Sequence, residues 1–370
     1  MLKVENLVVG AGFSGAVIAE RLASVLGEKV LVIEKKDHIA GNSYDFYDQN
    51  GICVHKYGSH IFHTNNEKVW EYVNNFTKFN SYQHKVIAVI DGKEIWIPFN
   101  FGSLYNVFDS NFAQKLEKKL LGKFAKNTKV PILEFQNQDD EDLKFLANYV
   151  YEKVFLNYTT KQWGVKPEEI NSSVTARVPV FMGYDNRYFQ DKYQGIPLKG
   201  YSALVEKILK NPKIKVKLNT DFSKIKDIEY KRLFFTGSID EFFGYKYGIL
   251  PYRSVFFELK EHNCEFYQKN SVINYPNDYD FTRIHEYKHY LGDKSQKTVI
   301  AKEFSEAFEI DKNERYYPIP KEENAELYQK YLNDAKKYEN IYFLGRLGDY
   351  KYYDMDKAIA RALEVFERLN

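Results

Sequence analysis

Cysteine is almost missing. The chain of 370 residues has two, Cys53 and Cys264, far apart and in no CxxC pair. A disulfide framework is therefore excluded, and a reducing cytoplasm is the expected compartment. An excess of charge is missing too: 53 Lys+Arg against 51 Asp+Glu leaves a net charge of +2. Dedicated nucleic-acid or membrane-surface binders carry a strong basic excess, so neither partner is expected. No stretch approaches the ~18 apolar residues of a membrane span. The opening segment lacks the basic n-region and long h-region of a leader. Global disorder is excluded by 44% hydrophobic and 28% charged residues.

What is abundant is aromatic: 31 Tyr, 28 Phe and 3 Trp, together 17% of the chain. Most of these rings must fill cores and support strands. Some tyrosines, with a flat ring and a hydroxyl tip, suit a polar cleft for sugars and bases.

The first segment reads strand (4–9), glycine-rich turn, helix (16–26) and strand (29–33), a βαβ unit. From about 101 to 170 the pattern turns helical. Amphipathic helices are predicted over 113–124 and 142–158, with a polar connector over 127–142. A strand-rich block follows over 252–308, with alternation around Val255–Leu259 and Thr298–Phe304. A strand at 341–344, a loop at 345–354 and a helix over 355–369, with Ile359, Leu363 and Phe366 on one face, close the chain. The fold class is α/β: the two ends pack as one Rossmann-like nucleotide domain, and the helical and sheet parts are inserted.

Gly10-Ala11-Gly12-Phe13-Ser14-Gly15 fits G-x-G-x-x-G after a strand and before a helix. Gly10 permits the tight turn, Gly12 lets the backbone approach a pyrophosphate, and Gly15 lets helix and strand close. The helix N-terminus offers N–H donors to the anion. Glu34, ending the next strand, is placed to accept from a ribose hydroxyl. Gly41-Asn42 reads either as a β-turn or as a second glycine loop beside a cofactor. His55, His60 and His63 match no metal-ligand spacing, and no metal is expected. His60 and His63 could wall a cofactor ring or be satisfied core histidines. Tyr158 to Gly164, with Trp163, could be a stacking platform or a buried helix anchor. Arg177 and Arg283 sit in mostly uncharged stretches and need an anion, either a ligand phosphate or a structural carboxylate. In the 345–355 segment Asp354 fits an N-cap and Arg346 a pyrophosphate.

Taken in order along the whole chain, these stretches resemble the UDP-galactopyranose mutase family of the prokaryotic type. The resemblance rests on the segments 10–17, 37–44, 57–64, 158–164, 177–179, 186–189, 193–197, 316–320 and 345–356. It departs at Ala40, where the family usually has glycine, and at Ser59, where it usually has proline. The resemblance implies three parts. The first is an FAD-binding domain from 1–78, 198–245 and 330–370. The second is an inserted helical bundle over 100–195 that carries a mobile substrate loop. The third is a twisted antiparallel β-sheet from 79–99 and 246–329. It implies interconversion of UDP-galactopyranose and UDP-galactofuranose by reduced FAD through a covalent flavin N5–sugar intermediate, without net redox.

Carried over by position, Arg177 and Arg283 meet the substrate diphosphate and, with His63, form the expected catalytic set. Phe155, Tyr158, Thr159, Trp163, Tyr188, Tyr317 and Tyr352 surround uridine, diphosphate and sugar. Gly10, Gly12, Phe13, Ser14, Gly15, Glu34, Lys35, Gly41, Asn42, His60, Arg346, Tyr352, Asp354 and Met355 contact the cofactor. The segment carrying Arg177 matches the family's closing loop. A homodimer is expected. Ser59 is expected to influence sugar choice. The competing readings are an FAD-dependent oxidoreductase of the amine-oxidase type and a binding protein resembling GDP-dissociation inhibitor.

Overall fold

Five strands, all paired in parallel, form the sheet on which the rest is hung. Their order is Ile214–Lys217, Val30–Ile33, Leu2–Val9, Ile228–Phe235 and Ile341–Phe343. Parallel strands need crossovers, and the chain supplies helices for them. The computed structural model describes residues 2–169, 179–225 and 227–369; Arg177 lies outside them. The helix Phe13–Ser24 is buried along most of its length, and Ala16, Val17, Ala19 and Leu22 are fully sequestered. It packs against the last helix, Met355–Glu367, whose inward face is Ile359, Ala362, Leu363 and Phe366. That is the apolar face its spacing predicts.

A second sheet has seven strands, in the order Tyr317–Pro318, Tyr252–His262, Thr298–Ala307, Arg283–Glu286, Val272–Asn274, Val86–Ile90 and Lys93–Ile97. It differs from the expected antiparallel sheet in one pairing: Val272–Asn274 runs parallel to Val86–Ile90. The chain can do this because these strands are far apart in sequence and need no hairpin. A separate apolar core joins this sheet to the inserted helices, with Ala88, Ile90 and Ile95 against Leu104, Leu116 and Leu146.

Two local expectations are corrected. The stretch 127–142 is no plain connector. Lys129–Val130 pairs with Val180–Phe181, and Ile132–Phe135 forms a helical turn that buries Ile132 and Phe135. The long helix is not uniform: Glu141–Val150 is α, Tyr151–Leu156 is π-helical, and Asn157–Trp163 is α again. A π segment rotates the residues after it around the axis and is common at functional sites. Here it reorients Phe155, Tyr158 and Trp163.

Candidate active site

All five strands of the parallel sheet end at one cleft. Gly10 follows the first strand, and Glu34, Lys35 and Lys36 follow the second. Thr220–Ser223, Thr236–Ser238 and Gly345–Leu347 follow the other three. All these residues line a cavity of about 380 Å³. Ligands of open parallel sheets bind outside the carboxyl ends of the strands. The N-termini of both packed helices open onto the cavity, through Phe13 and Ser14 on one side and Asp354 and Met355 on the other. Their free N–H groups and dipoles favour an anion there.

The glycines shape this cleft. Gly10 has φ +101°, and a Cβ on it would lie 2.0 Å from Thr236 Oγ1. A Cβ on Gly15 would lie 1.9 Å from Gly10 O, so helix and strand can close only over a glycine. Gly41, at φ +55°, brings the second loop against Gly12, where its Cβ would meet Gly12 Cα at 3.1 Å. Ala40 N donates to Ala11 O at 2.9 Å and ties the two loops together. Glu34 is buried. Its carboxylate accepts from Ala11 N (2.8 Å) and Lys36 N (3.0 Å). Gly10, Gly12, Phe13, Ser14, Glu34, Lys35, Gly41, Asn42, His60, Arg346, Asp354 and Met355 all line the cavity. Gly15 acts by packing, and Tyr352 belongs to the neighbouring cluster. Asp354 holds the N-cap position without a side-chain cap bond, its carboxylate 3.6 Å from Lys357 Nζ. Glycine cradles, an acid at the second strand end and two helix N-termini fit a dinucleotide.

Beside the cleft lies a wall of rings and two partly buried arginines. Tyr317 and Tyr352 stack with centroids 5.2 Å apart, and Trp163 is 5.8 Å from each. Arg346 places its guanidinium 5.3 Å from the Tyr317 ring centre and 5.4 Å from that of Tyr352. Its N–H groups donate to Tyr353 O (2.6 and 3.2 Å) and Tyr316 O (3.2 Å). Arg283 sits on the second sheet, opposite Glu303 on one neighbour and Asn274 on the other. Its Nη2 donates to Glu303 Oε1 at 2.7 Å, so the anion it needs is, in part, structural. The Arg283 charge holds the buried Glu303 carboxyl down to about 2 against its desolvation. Arg283 Nε and Asn274 Oδ1 are buried without a hydrogen-bond partner among the described residues. Such orphans are costly unless a ligand meets them.

Tyr158 feels the charges of Arg283 and Glu303, and burial pushes its phenol up; Tyr188 and Tyr317 lie in the same field. Phe155, Thr159 and Trp163 are buried along the same helical segment. That segment ends at Gly164, φ +72°, where Arg253 Nε donates to Gln162 O at 3.0 Å. Burial lowers His60, in the cleft wall, to about 3. His63 lies apart from the cavity lining. Its Nδ1 is 2.8 Å from Asp191 Oδ2, and its ring stacks on Phe189 at 3.6 Å.

Three groups were not anticipated from the sequence. The cavity extends over Thr236–Ser238 and Thr220–Ser223, for which the signal was their place after parallel strands. Asn274 and Glu303 flank Arg283 by cross-strand register, for which a single sequence offers no signal. A buried trio, Asp45, Cys53 and His55, brings ligand-type atoms within 4.8 Å. Within it Asp45 caps the helix Gly200–Ile208, accepting from Tyr201 N (2.5 Å) and Ser202 N (2.8 Å), and burial pushes the Cys53 thiol up, keeping it protonated.

Comparison with known proteins gives the following. The sequence profile described as UDP-galactopyranose mutase matches residues 153–352. A profile described as an NAD(P)-binding Rossmann-like domain matches residues 8–76. A Klebsiella pneumoniae protein named "Probable UDP-galactopyranose mutase" is 39% identical, over 97% of this chain and 93% of its own. An Escherichia coli protein named dTDP-fucopyranose mutase is 37% identical, over 97% and 96%. Among solved structures, a reduced UDP-galactopyranose mutase superposes with TM-score 0.72 at 16% identity, covering 100% of this chain and 94% of that one. A putrescine oxidase variant superposes with TM-score 0.61 at 10% identity and shares the fold alone.

Proposed function

Because the chain belongs to the UDP-galactopyranose mutase family, an isomerase family, we propose that it interconverts UDP-galactopyranose and UDP-galactofuranose on FAD that must be reduced. The observation that carries this reading is the convergence of Arg283, Arg346 and the Trp163–Tyr317–Tyr352 rings on the edge of a dinucleotide cleft. The cleft would hold FAD, the N-terminus of the helix Phe13–Ser24 and Arg346 taking its pyrophosphate. When bound and reduced, it supplies the electron-rich centre for bond exchange at the sugar's anomeric carbon.

The side chains do the rest. Phe155, Tyr158, Thr159 and Trp163 hold the base. Arg283, through an Nε without a hydrogen-bond partner among the described residues, and Arg177 hold the diphosphate. Charge on that diphosphate grows as the nucleotide leaves the sugar, and a buried guanidinium stabilises it best there. Tyr188, Tyr317 and Tyr352 confine the detached sugar, and their rings exclude water from it. His63, held by Asp191, belongs to the catalytic set in this proposal. The three-part division into nucleotide domain, helical insert and sheet belongs to the same proposal. So does a cytoplasmic homodimer, which light scattering and cell fractionation check.

The 37% relative named for a dTDP-sugar favours a second reading, in which thymidine and a 6-deoxy sugar replace uridine and galactose. One assay separates them. Dithionite-reduced enzyme is offered UDP-galactose, UDP-N-acetylgalactosamine and dTDP-fucose, and the products are resolved by chromatography. Turnover of UDP-galactose only after reduction, with no net oxidation, is the expected result. Equal turnover by oxidised enzyme would return the chain to the oxidoreductase class. A colourless purified protein would favour a binding role.

A further inference from the structure

A half-buried chain of hydrogen bonds runs through Ser59 to Arg283. Tyr290 O–H donates to Ser59 Oγ, and Ser59 O–H donates to His285 Nδ1. His285 Nε2 lies 3.0 Å from Glu303 Oε2, and Glu303 Oε1 accepts from Arg283 Nη2 at 2.7 Å and from Thr282 Oγ1 at 3.2 Å. The proton positions follow from the end of the chain. An ionised carboxylate only accepts, so His285 must donate through Nε2 and leave Nδ1 as the acceptor. Ser59 is the one residue of the chain that both donates to His285 and accepts from Tyr290.

We propose that Ser59 and His285 are positioning residues for the substrate diphosphate. The Ser59 hydroxyl, by donating to Nδ1, keeps the His285 ring neutral with its proton on Nε2, and His285 in turn holds the Glu303 carboxylate that aims Arg283. The inference rests on the reading that Arg283 meets that diphosphate. Without the hydroxyl, His285 Nδ1 loses its donor, and Tyr290 keeps only Ser271 as a side-chain partner. Nδ1 is then open to a proton while Nε2–H still faces Glu303, and Glu303 can swing toward the resulting imidazolium and away from Arg283.

The groups facing His285 agree with a neutral ring. Glu303 lies across the sheet, and Arg283 is two residues back on the same strand. The Tyr287 ring lies parallel at 6.3 Å, and the Phe257 ring is 6.0 Å away. His55 and His84 lie close enough to feel its charge. Burial lowers His285 against the pull of Glu303.

The test uses the FAD-loaded protein with ¹⁵N-labelled histidine, read by NMR from pH 5 to 8. The eight histidines are sorted by the signal that His285→Gln removes. The parent and Ser59→Thr should show one Nε2–H tautomer throughout. Ser59→Ala should show the doubly protonated ring appearing as the pH falls toward 5. In parallel, UDP affinity should fall about 5- to 30-fold in Ser59→Ala, the size of one buried hydrogen bond lost. Ser59→Thr should restore it, and the flavin-to-protein ratio should not move. His285→Gln, which keeps an amide donor to Glu303, should bind UDP better than His285→Leu. An unchanged His285 spectrum in Ser59→Ala overturns the proposal. So does a changed spectrum with unchanged UDP affinity, since the ring would then position nothing. Failure of the functional reading looks different: the parent itself would bind no UDP, and the spectra would still decide whether Ser59 sets the His285 proton.

Discussion

The dinucleotide cleft and the aromatic wall beside it are made of different material. The cleft is backbone: glycines without Cβ, strand ends and two helix N-termini. Its first half lies along one βαβ unit, and the rest follows the ends of the other parallel strands. The wall is side chain. Trp163, Tyr317, Tyr352, Arg346 and Arg283 come from the helical insert, the second sheet and the C-terminal segment, and they meet only in the folded molecule. Their arginines are wired differently too. Arg346 is held by carbonyl oxygens and lies over two rings, whereas Arg283 shares a buried carboxylate with His285. A cleft built from backbone tolerates side-chain change as long as the glycines stay. A wall built from side chains can be retuned residue by residue, as relatives named for different sugars require.

The largest expected effect separates the two arginines. Arg283→Ala should keep the flavin absorbance and lose most turnover, and the same is expected of Arg177→Ala. Truncating one partner of a buried charge pair costs about 2–5 kcal/mol. At tenfold per 1.36 kcal/mol, that is a loss of roughly 30-fold to several thousand-fold in kcat/KM. Arg346→Ala should instead purify with less FAD, and it also leaves two carbonyls short of a donor. Near-normal kcat/KM in Arg283→Ala would make that residue a purely structural partner of Glu303 and break the contrast.

Acid should not respect the division. Burial lowers His55, behind the cleft, and His84, behind the wall, to about 3. An unfolded histidine titrates near 6.5, so below that pH the unfolded chain binds protons that the fold refuses. Stability is therefore full above about pH 7 and falls as pH drops toward 3. The slope is about 1.4 kcal/mol per pH unit for each histidine, or about 3 for the two. Glu303 works in the same direction at lower pH, since its folded value lies below its unfolded one. Denaturant midpoints at pH 7.5, 6 and 5, read by flavin fluorescence and by tryptophan fluorescence, should fall together. Midpoints independent of pH, or flavin release well before the tryptophan signal, would show that the halves titrate separately.

The same contrast explains what the sequence disclosed. The βαβ unit, Glu34 and the last helix were legible because their signals are periodic or contiguous: a strand, a glycine turn and an apolar stripe within a few dozen residues. The Arg283–Glu303 pair was not. It depends on the register of two strands whose partners are 20 residues apart, and many registers satisfy the same alternation. The π segment at Tyr151–Leu156 was hidden for a different reason. Inserting one residue into a helix leaves its composition unchanged and alters only which faces meet. Ile132 and Phe135 sit in a polar stretch, and only the tertiary core beneath them makes a helical turn there worth forming.

A smaller effect is expected at Ser59. Ser59→Pro installs the residue the family usually carries there and removes the hydroxyl between Tyr290 and His285. The ratio of turnover rates for UDP-galactose and UDP-N-acetylgalactosamine should shift severalfold, since one lost hydrogen bond changes rates on the order of tenfold. If both rates fall by the same factor, Ser59 acts on the diphosphate alone and has no part in sugar choice.

The smallest effect belongs to the cleft and tests whether its glycine logic extends one residue further. Ala40 is buried with φ +71° and ψ 0°, the left-handed region, immediately before Gly41 at φ +55°. A Cβ in that region costs roughly 1–2 kcal/mol. Glycine removes that cost and adds about 0.4–1 kcal/mol of unfolded-chain entropy. The Ala40 N–H bond to Ala11 O, and the bond from Ser43 Oγ to Ala40 O at 2.7 Å, use only backbone atoms of residue 40 and survive the change. Ala40→Gly should therefore raise stability slightly, by about 0–1 kcal/mol, with FAD stoichiometry and sugar preference unaltered. Ala40→Val is the opposing arm, because a β-branched side chain at positive φ is far worse. It should destabilise the fold and loosen FAD, since this residue ties the two glycine loops together. A stabilising Ala40→Val, or a clear loss of stability in Ala40→Gly, would mean that the Ala40 methyl packs usefully enough to outweigh its strain.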